Sequence, residues 1–462
     1  MSPQPYVFHT TILREYDVRG IVGETLFPED ARALGAAFGS ILRNEGGRTV
    51  AVGYDGRLSS PEMEQALVDG LVSVGCRVLR IGCGPTPMLY FAVHHLDTDA
   101  GIQVTGSHNP PSHNGFKMML GKASFFGERI QLLGKVSAEG AFTTGEGAAE
   151  EVDVFDAYVA RLARDFKGAR PLKVVWDAGN GAGGPAMAAL AERLPGEHVL
   201  LYADIDGRFP NHHPDPTVPE NLEDLIAEVA KTGADVGIAF DGDADRIGVV
   251  DGKGRILFGD QIMQILAEDV LERHPGAPII CDVKASQAFF DRVAALGGTP
   301  VMWKTGHSLI KALMAERSAP LAGEMSGHIF YKDGFYGHDD ALYVGVRLLD
   351  ILARGEASLA DRRDAMPEMV NTPELRFDCP DERKFGVIAS VKAGLESAEG
   401  VSVNAIDGVR VTTEDGWWLL RASNTQAVLV ARAEGKDEDG LERLKGHIAR
   451  NLRAAGIEPP AF

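Results

Sequence analysis

Four apolar runs in this 462-residue chain stop at an aspartate and open into a polar or glycine-rich loop. They are "TVAVGYDGR" at Asp55, "LKVVWDAGNGAGG" at Asp177, "ADVGIAFDGDADR" at Asp241 and "PIICDVKAS" at Asp282. Short continuous apolar runs suit parallel strands covered on both faces, and open α/β sheets present their ligand-binding loops at the carboxyl ends of such strands. The recurrence predicts two or three related α/β units. Helices between the runs are well punctuated, as in "SSPEMEQALVDGLVSVG", where Ser60 is the expected N-cap, Pro61 the first helical residue and Gly75 the stop.

The last quarter reads differently. After "VNTPELRFDCPDERKF" a helix is expected to about Glu399, then the short runs "VSVNAI", "VRVTT", "WWLLRA" and "AVLVARAE" between Asp-Gly or Asn-containing turns, then a charged helix. Successive strands with helices at the ends predict an α+β domain with an antiparallel sheet. The length exceeds one compact core and suggests three or four domains.

A net charge of −20 argues against a broad nucleic-acid or membrane surface, which would need clustered Lys and Arg, but allows an anionic ligand in a cleft where cations converge. No run of 18 apolar residues and no secretory leader is present, and Cys76, Cys83, Cys281 and Cys379 lack a CxxC spacing. The expectation is a soluble cytoplasmic protein with reduced thiols.

Four loops carry chemistry. "GIQVTGSHNPP" displays Ser107 before two prolines; alone it reads first as a capped bend, and it is not a hydrolase elbow, because Asn109 stands where G-x-S-x-G needs glycine. Downstream, Lys117 offers a cation. In "DGDADR", Asp241, Asp243 and Asp245 alternate directly after an apolar run. Mutual repulsion favours a bound cation over the alternative of a solvated acidic loop, and Arg246 and Gly252 at the EF-hand glycine and glutamate positions point to Mg²⁺ rather than Ca²⁺. "GEMSGH" would put Glu324, Ser326 and His328 on one face if extended, a set suited to sugar hydroxyls, with His307 and Lys284 in nearby segments. "RASNTQ" gathers Arg421, Ser423, Asn424 and Thr425 at one turn, suited to a phosphate or to a plain hairpin.

These loops, with "REYDVRG", "VGYDGRLSSP", "FPNHHPDPTVPENL" and "TGHSLIK", follow the order found in the α-D-phosphohexomutases, and the chain resembles the bacterial phosphomannomutase/phosphoglucomutase group over nearly its whole length. The resemblance implies three related α/β domains with mixed, mostly parallel sheets plus a C-terminal α+β domain around one central cleft, divided here at 1–150, 151–252, 253–368 and 369–462. It implies reversible interconversion of hexose 1-phosphate and hexose 6-phosphate through phosphoserine at Ser107 and a 1,6-bisphosphate. Ser107, Asp241, Asp243 and Asp245 would hold one Mg²⁺. Arg19, Lys117, Arg246 and His328 would assist transfer. Tyr16, Lys284, His307, Glu324, Ser326, Arg421, Ser423, Asn424 and Thr425 would bind substrate. Glucose 1,6-bisphosphate would prime the enzyme, a monomer or weak dimer. Met325 favours mannose and glucose over glucosamine phosphates.

Two other classes compete. "GNGAGG" fits G-x-G-x-x-G through Gly179, Gly181 and Gly184, follows a strand-like run and precedes Asp204, which would suit an NAD-dependent oxidoreductase. A non-enzymatic sugar-phosphate binding protein would never carry phosphate on Ser107.

Overall fold

A computed structural model describes residues 3–395, 400–423 and 427–459. In the first sheet the strands Thr49–Tyr54, Arg77–Cys83, Ala100–Val104 and Ala148–Glu151 run parallel, and His113–Leu120 and Val18–Ile21 add antiparallel to one side. The second keeps Gly196–Leu201, Leu172–Asp177 and Val236–Phe240 parallel before Ile247–Asp251 reverses. In the third, Thr299–Trp303, Pro278–Asp282 and Leu321–Gly323 are parallel and Ile329–Tyr331 reverses. The fourth sheet is antiparallel throughout, as expected of an α+β unit. Its helix Asp381–Leu395 is preceded by two short strands, Val370–Asn371 and Leu375–Asp378, where the sequence reading had none.

The aspartate-ended runs are buried because both faces of each sheet are covered. Trp176, Ile238, Ile279 and Leu321 share one core that joins the second and third units, with the helix Ala341–Arg354 buried between them. The first and fourth units have their own cores, around Phe38 and Val104 and around Trp418 and Leu444. The loops at the carboxyl ends of the parallel strands therefore come from different units, and those of the first and second meet at Ser107 and Asp241.

The loop after Ala100–Val104 is held from inside by one guanidinium. Arg57, 1% exposed, donates through Nη2 to the carbonyls of Ser107 and Asn109, both 2.6 Å away, and through Nη1 to those of Pro110 (2.6 Å) and His113 (3.0 Å). Asp55 anchors it, accepting from Arg57 Nε at 3.2 Å, Thr105 Oγ1 at 2.8 Å and the Gly106 amide at 3.0 Å. A Cβ at position 106 would lie 2.3 Å from Arg57 Nε, so only glycine admits this approach. Ser60 departs from its expected role. It is the first helical residue after Ser59, and its hydroxyl donates to Asp55 at 2.5 Å instead of capping the helix.

A second brace lies below the aspartate loop of the second unit. His212 Nε2 is 3.0 Å from Asp177 Oδ2 and its Nδ1 is 3.1 Å from the His213 carbonyl. Both partners are acceptors, so both ring nitrogens carry protons. Burial would lower the His212 pKa, but the Asp177 carboxylate outweighs it and the pKa is raised.

Two expectations follow. Arg57→Met leaves four carbonyls without their donor and should destabilise the fold by about 3–5 kcal/mol in denaturant unfolding, with faster amide exchange over residues 105–113; unchanged stability and exchange would refute this brace. His212 contributes stability that is fully present below the unfolded pKa of about 6.5 and is lost as pH rises through the raised folded value. The stability gap between the wild type and His212→Gln should therefore shrink on going from pH 6 to pH 9, and a gap that widens would contradict the imidazolium assignment.

Candidate active site

Ser107 is 2% exposed and adopts φ +49°, a left-handed conformation rare for a residue with a side chain. The Arg57 brace and the bond from its own amide to Thr105 Oγ1 at 2.9 Å hold it there. Its Oγ donates to Asp241 Oδ2 at 3.0 Å and lies 3.2 Å from His108 Nδ1. Burial, then the Arg246 and Arg19 charges, lower the His108 pKa well below the usual histidine range, so this ring is neutral. The second unit meets the serine closely, since a Cβ on Gly242 would fall 2.5 Å from the Ser107 carbonyl oxygen.

Asp241, Asp243 and Asp245 are all 0% exposed, and their nearest carboxylate oxygens lie within 4.8 Å of one another. Like charges at about 4 Å repel by roughly 4 kcal/mol at the effective dielectric of such a site, so three bare carboxylates would not stay together. Lys117 enters from the first unit, 2.8 Å from Asp243 Oδ2 and also paired with Asp245 Oδ2. Thr86 and Thr105 hydroxyls complete the Asp243 shell. Burial alone would raise the Asp243 pKa, but Lys117 brings it below the usual carboxylate range. Asp241 goes the other way, pushed well up by burial and by its two acidic neighbours. If all three carboxylates are ionised, Lys117 and Arg246 leave one negative charge uncompensated. Asp243 Oδ1 and Asp245 Oδ1 are buried and make no hydrogen bond. Oxygen-only donors, spare charge and orphaned acceptors fit a hard divalent cation.

Around this centre stand further expected residues. Arg246 Nε donates to His328 Nε2 at 3.0 Å. Arg19, on the edge strand Val18–Ile21, pairs with Asp17 at 2.6 Å. Tyr16 donates to the Thr305 carbonyl at 3.0 Å and meets the His307 ring edge to face. His307 in turn stacks on His328.

A second cluster gathers loops of the third and fourth units. Glu324 Oε1 accepts from the Gly306 amide at 2.6 Å, Lys284 Nζ lies 3.1 Å from Glu374, and Arg421 Nε lies 2.9 Å from Asp407, which also accepts from the Thr305 amide. Ser423 is buried beside it, its amide bonded to the Val428 carbonyl. Asn424 and Thr425 lie outside the described residues. "GEMSGH" is a polar turn and not an extended segment. It turns between Leu321–Gly323 and Ile329–Tyr331, with the Gly327 amide on the Glu324 carbonyl and Gly327 at φ +92°. Glu324 therefore faces the second cluster, His328 the first, and Ser326 is half-buried on the turn between them.

Sequence reasoning missed Arg57, Thr86, Thr105, His108 and Asp339. Asp339 had a faint signal. Two acids precede the helix Ala341–Arg354 where one suffices as a cap, and Asp340 takes that role by accepting from the Tyr343 amide at 2.9 Å.

Five of the six amides of the "GNGAGG" loop are already bonded within the protein. Those of Gly179, Asn180, Gly181, Ala182 and Gly184 bond to Asp177 Oδ1 and to the carbonyls of Tyr202, Ala178, Gly242 and Gly181. The loop supports the aspartate loop instead, which removes the case for NAD.

Known proteins place this site in a lineage. Residues 10–132, 156–254 and 258–370 match the phosphoglucomutase/phosphomannomutase α/β/α domains I, II and III, and residues 374–451 match the C-terminal domain of the same enzymes. The chain is 44% identical over 450 residues to a phosphomannomutase/phosphoglucomutase of Pseudomonas aeruginosa, covering 97% of each chain. It is 42% identical to a phosphoglucomutase of Neisseria gonorrhoeae, with 95% of each covered. A crystal structure of a phosphoglucomutase/phosphomannomutase family protein from Burkholderia thailandensis superposes with a TM-score of 0.92 at 46% identity, covering 98% of this chain and 99% of that one. The chain belongs to the phosphoglucomutase/phosphomannomutase family.

Proposed function

We propose that this enzyme reversibly interconverts the 1- and 6-phosphates of mannose and glucose, with Ser107 carrying the transferring phosphoryl group. The observation that supports this most is the contact between two units: Ser107 Oγ, fixed by its braced loop, lies 3.0 Å from Asp241 in a buried three-carboxylate cluster. Phosphoryl transfer depends on positioning and charge neutralisation, and these residues supply both.

In the forward half-reaction the bond from phosphorus to Ser107 Oγ breaks as a bond to the sugar hydroxyl oxygen forms; that hydroxyl loses its proton and the departing Ser107 Oγ takes one up, so the serine hydroxyl is restored with no net proton change. The product is a 1,6-bisphosphate; after it turns over, its other phosphate returns to Ser107. Asp241, Asp243 and Asp245, with an oxygen of the phosphorylated Ser107, would hold one Mg²⁺, which supplies positive charge to the transferring group. Lys117, Arg246 and Arg19 surround the same group with fixed cations. Glu324 and Ser326 bind sugar hydroxyls, and Arg421, Ser423, Asn424 and Thr425 grip the phosphate that is not reacting. Lys284 and His307, with Tyr16 behind it, line the space between the two ends. Glucose 1,6-bisphosphate primes the unphosphorylated enzyme.

The preference for mannose and glucose rests on Met325, whose sulfur contacts Arg432 of the fourth unit beside the second cluster. The chain acts as a monomer or weak dimer in the cytoplasm, where its free thiols suit a reducing environment. Among the described residues no helix is long and apolar enough to cross a membrane.

Intact-mass analysis tests the phosphoryl carrier. Incubation with glucose 1,6-bisphosphate and Mg²⁺ should add one phosphoryl group to the dephosphorylated wild type and none to Ser107→Ala, and only the wild type should interconvert mannose 1- and 6-phosphates. An adduct that persists in Ser107→Ala, or a wild type with neither adduct nor turnover, would refute the assignment.

A further inference from the structure

Asp339 has no place in the roles above, yet it is 0% exposed and is surrounded by charge. It follows the hairpin strand Ile329–Tyr331, bridged to Phe330, directly before the cap of Ala341–Arg354. Its Oδ1 lies 3.0 Å from Lys311 Nζ. Its Oδ2 lies 3.1 Å from His328 Nδ1 and 3.8 Å from His307 Nδ1. The same His328 nitrogen is 3.5 Å from Asp245 Oδ1. Nδ1 thus faces between two carboxylate oxygens, on the axis of neither, and all three atoms are buried without a hydrogen bond.

The opposite edge of the ring settles where its proton sits. Arg246 Nε donates to His328 Nε2 at 3.0 Å, and a guanidinium is always protonated. Nε2 must therefore be the acceptor, and the proton belongs on Nδ1, toward Asp339. Asp245, His328 and Asp339 also have the composition of a second metal site. A metal on Nδ1 would displace that proton to Nε2, where it would meet the Arg246 N–H, two donors facing each other. The geometry suits a shared proton and excludes a cation.

We propose that Asp339 is a positioning residue, which fixes the proton of His328 on Nδ1 and so keeps Nε2 as the acceptor that aims Arg246. This deepens the mutase reading and rests on it for its functional consequence. Arg246 makes no hydrogen bond through its terminal nitrogens among the described residues, so once Nε is held by His328 both are left for the transferring phosphoryl group. Two further contacts stiffen the arrangement. His307 stacks on His328 with ring centroids 5.3 Å apart, and Lys311 lies 4.6 Å from the Tyr90 ring centroid, which ties the network to the first unit. Were the proton on Nε2, the two donors would repel, and Arg246 would lose its anchor.

The test reads the tautomer directly, by long-range ¹H–¹⁵N NMR on the full chain labelled at histidine, with His328→Gln assigning the signal. Removing Asp339 alone would strand Lys311, so the informative variant is the double substitution Lys311→Met with Asp339→Leu, beside Asp339→Asn, which keeps an acceptor oxygen. Wild type and Asp339→Asn should show the Nδ1–H tautomer. The double variant should show the Nε2–H tautomer, with kcat lower by about 10–100-fold and KM changed less than about threefold. A wild-type ring protonated on Nε2, or a double variant that keeps the Nδ1–H tautomer, overturns the assignment whatever the activity. A wild type without mutase turnover would instead count against the proposed function, because the tautomer is read without turnover.

Discussion

The site depends on the compensation of three buried carboxylates. Asp241, Asp243 and Asp245 leave water entirely, and their mutual repulsion can be tolerated only because Lys117 arrives from another unit and Arg246 is held beside them. Ser107 is drawn into the same cluster through Asp241. The first two units are therefore joined at this cluster, which offers a cation oxygen donors that include two orphaned acceptors. An acidic chain and an anionic ligand are compatible: the net charge of −20 describes the whole chain, whereas Arg19, Lys117 and Arg246 belong to the first loop cluster and Lys284 and Arg421 to the second.

Around that cluster the structure uses arginine wherever carbonyls must be gathered. Arg57 organises the serine loop from below. The fourth unit does something similar at its boundary with the third, where Arg410 donates to the carbonyls of Val283 and Ala285 at 2.6 and 2.7 Å and lies 3.6 Å from the Trp417 ring centroid. Arg432 reaches the Lys284 carbonyl at 2.5 Å beside it. The loop after Asp282 is thus fixed by the domain that carries Arg421, so the two ends of the cleft are set by different interfaces.

Sequence alone revealed the groups with local signatures. Apolar runs ending in aspartates marked the parallel strands because burial on both faces leaves no alternation, and the spacing of "DGDADR" marked a cation site because nothing local could neutralise it. Residues whose partners lie far along the chain were silent. Arg57 sits in a segment read only for Asp55, and its four carbonyls lie 50, 52, 53 and 56 residues further along the chain. Asp339 looked like half of a helix cap. "GEMSGH" could be read as extended or as a turn, and Gly327 permits the tight turn; the Ser60 cap failed because the helix begins one residue earlier and the hydroxyl is engaged by Asp55 and the Asn114 side-chain amide. The "GNGAGG" fingerprint is a structural βα turn for a related reason: its glycines serve contact between two protein loops, with most of the amides bonded within the protein.

The proposed mutase site turns on three buried aspartates that would hold one divalent cation beside Ser107. Isothermal titration of the dephosphorylated protein and of Asp243→Asn with Mg²⁺ at pH 7 measures that binding directly. Saturable one-to-one binding to the wild type, weakened or lost in Asp243→Asn, is the predicted result. No saturable binding, or binding unchanged in Asp243→Asn, would contradict it.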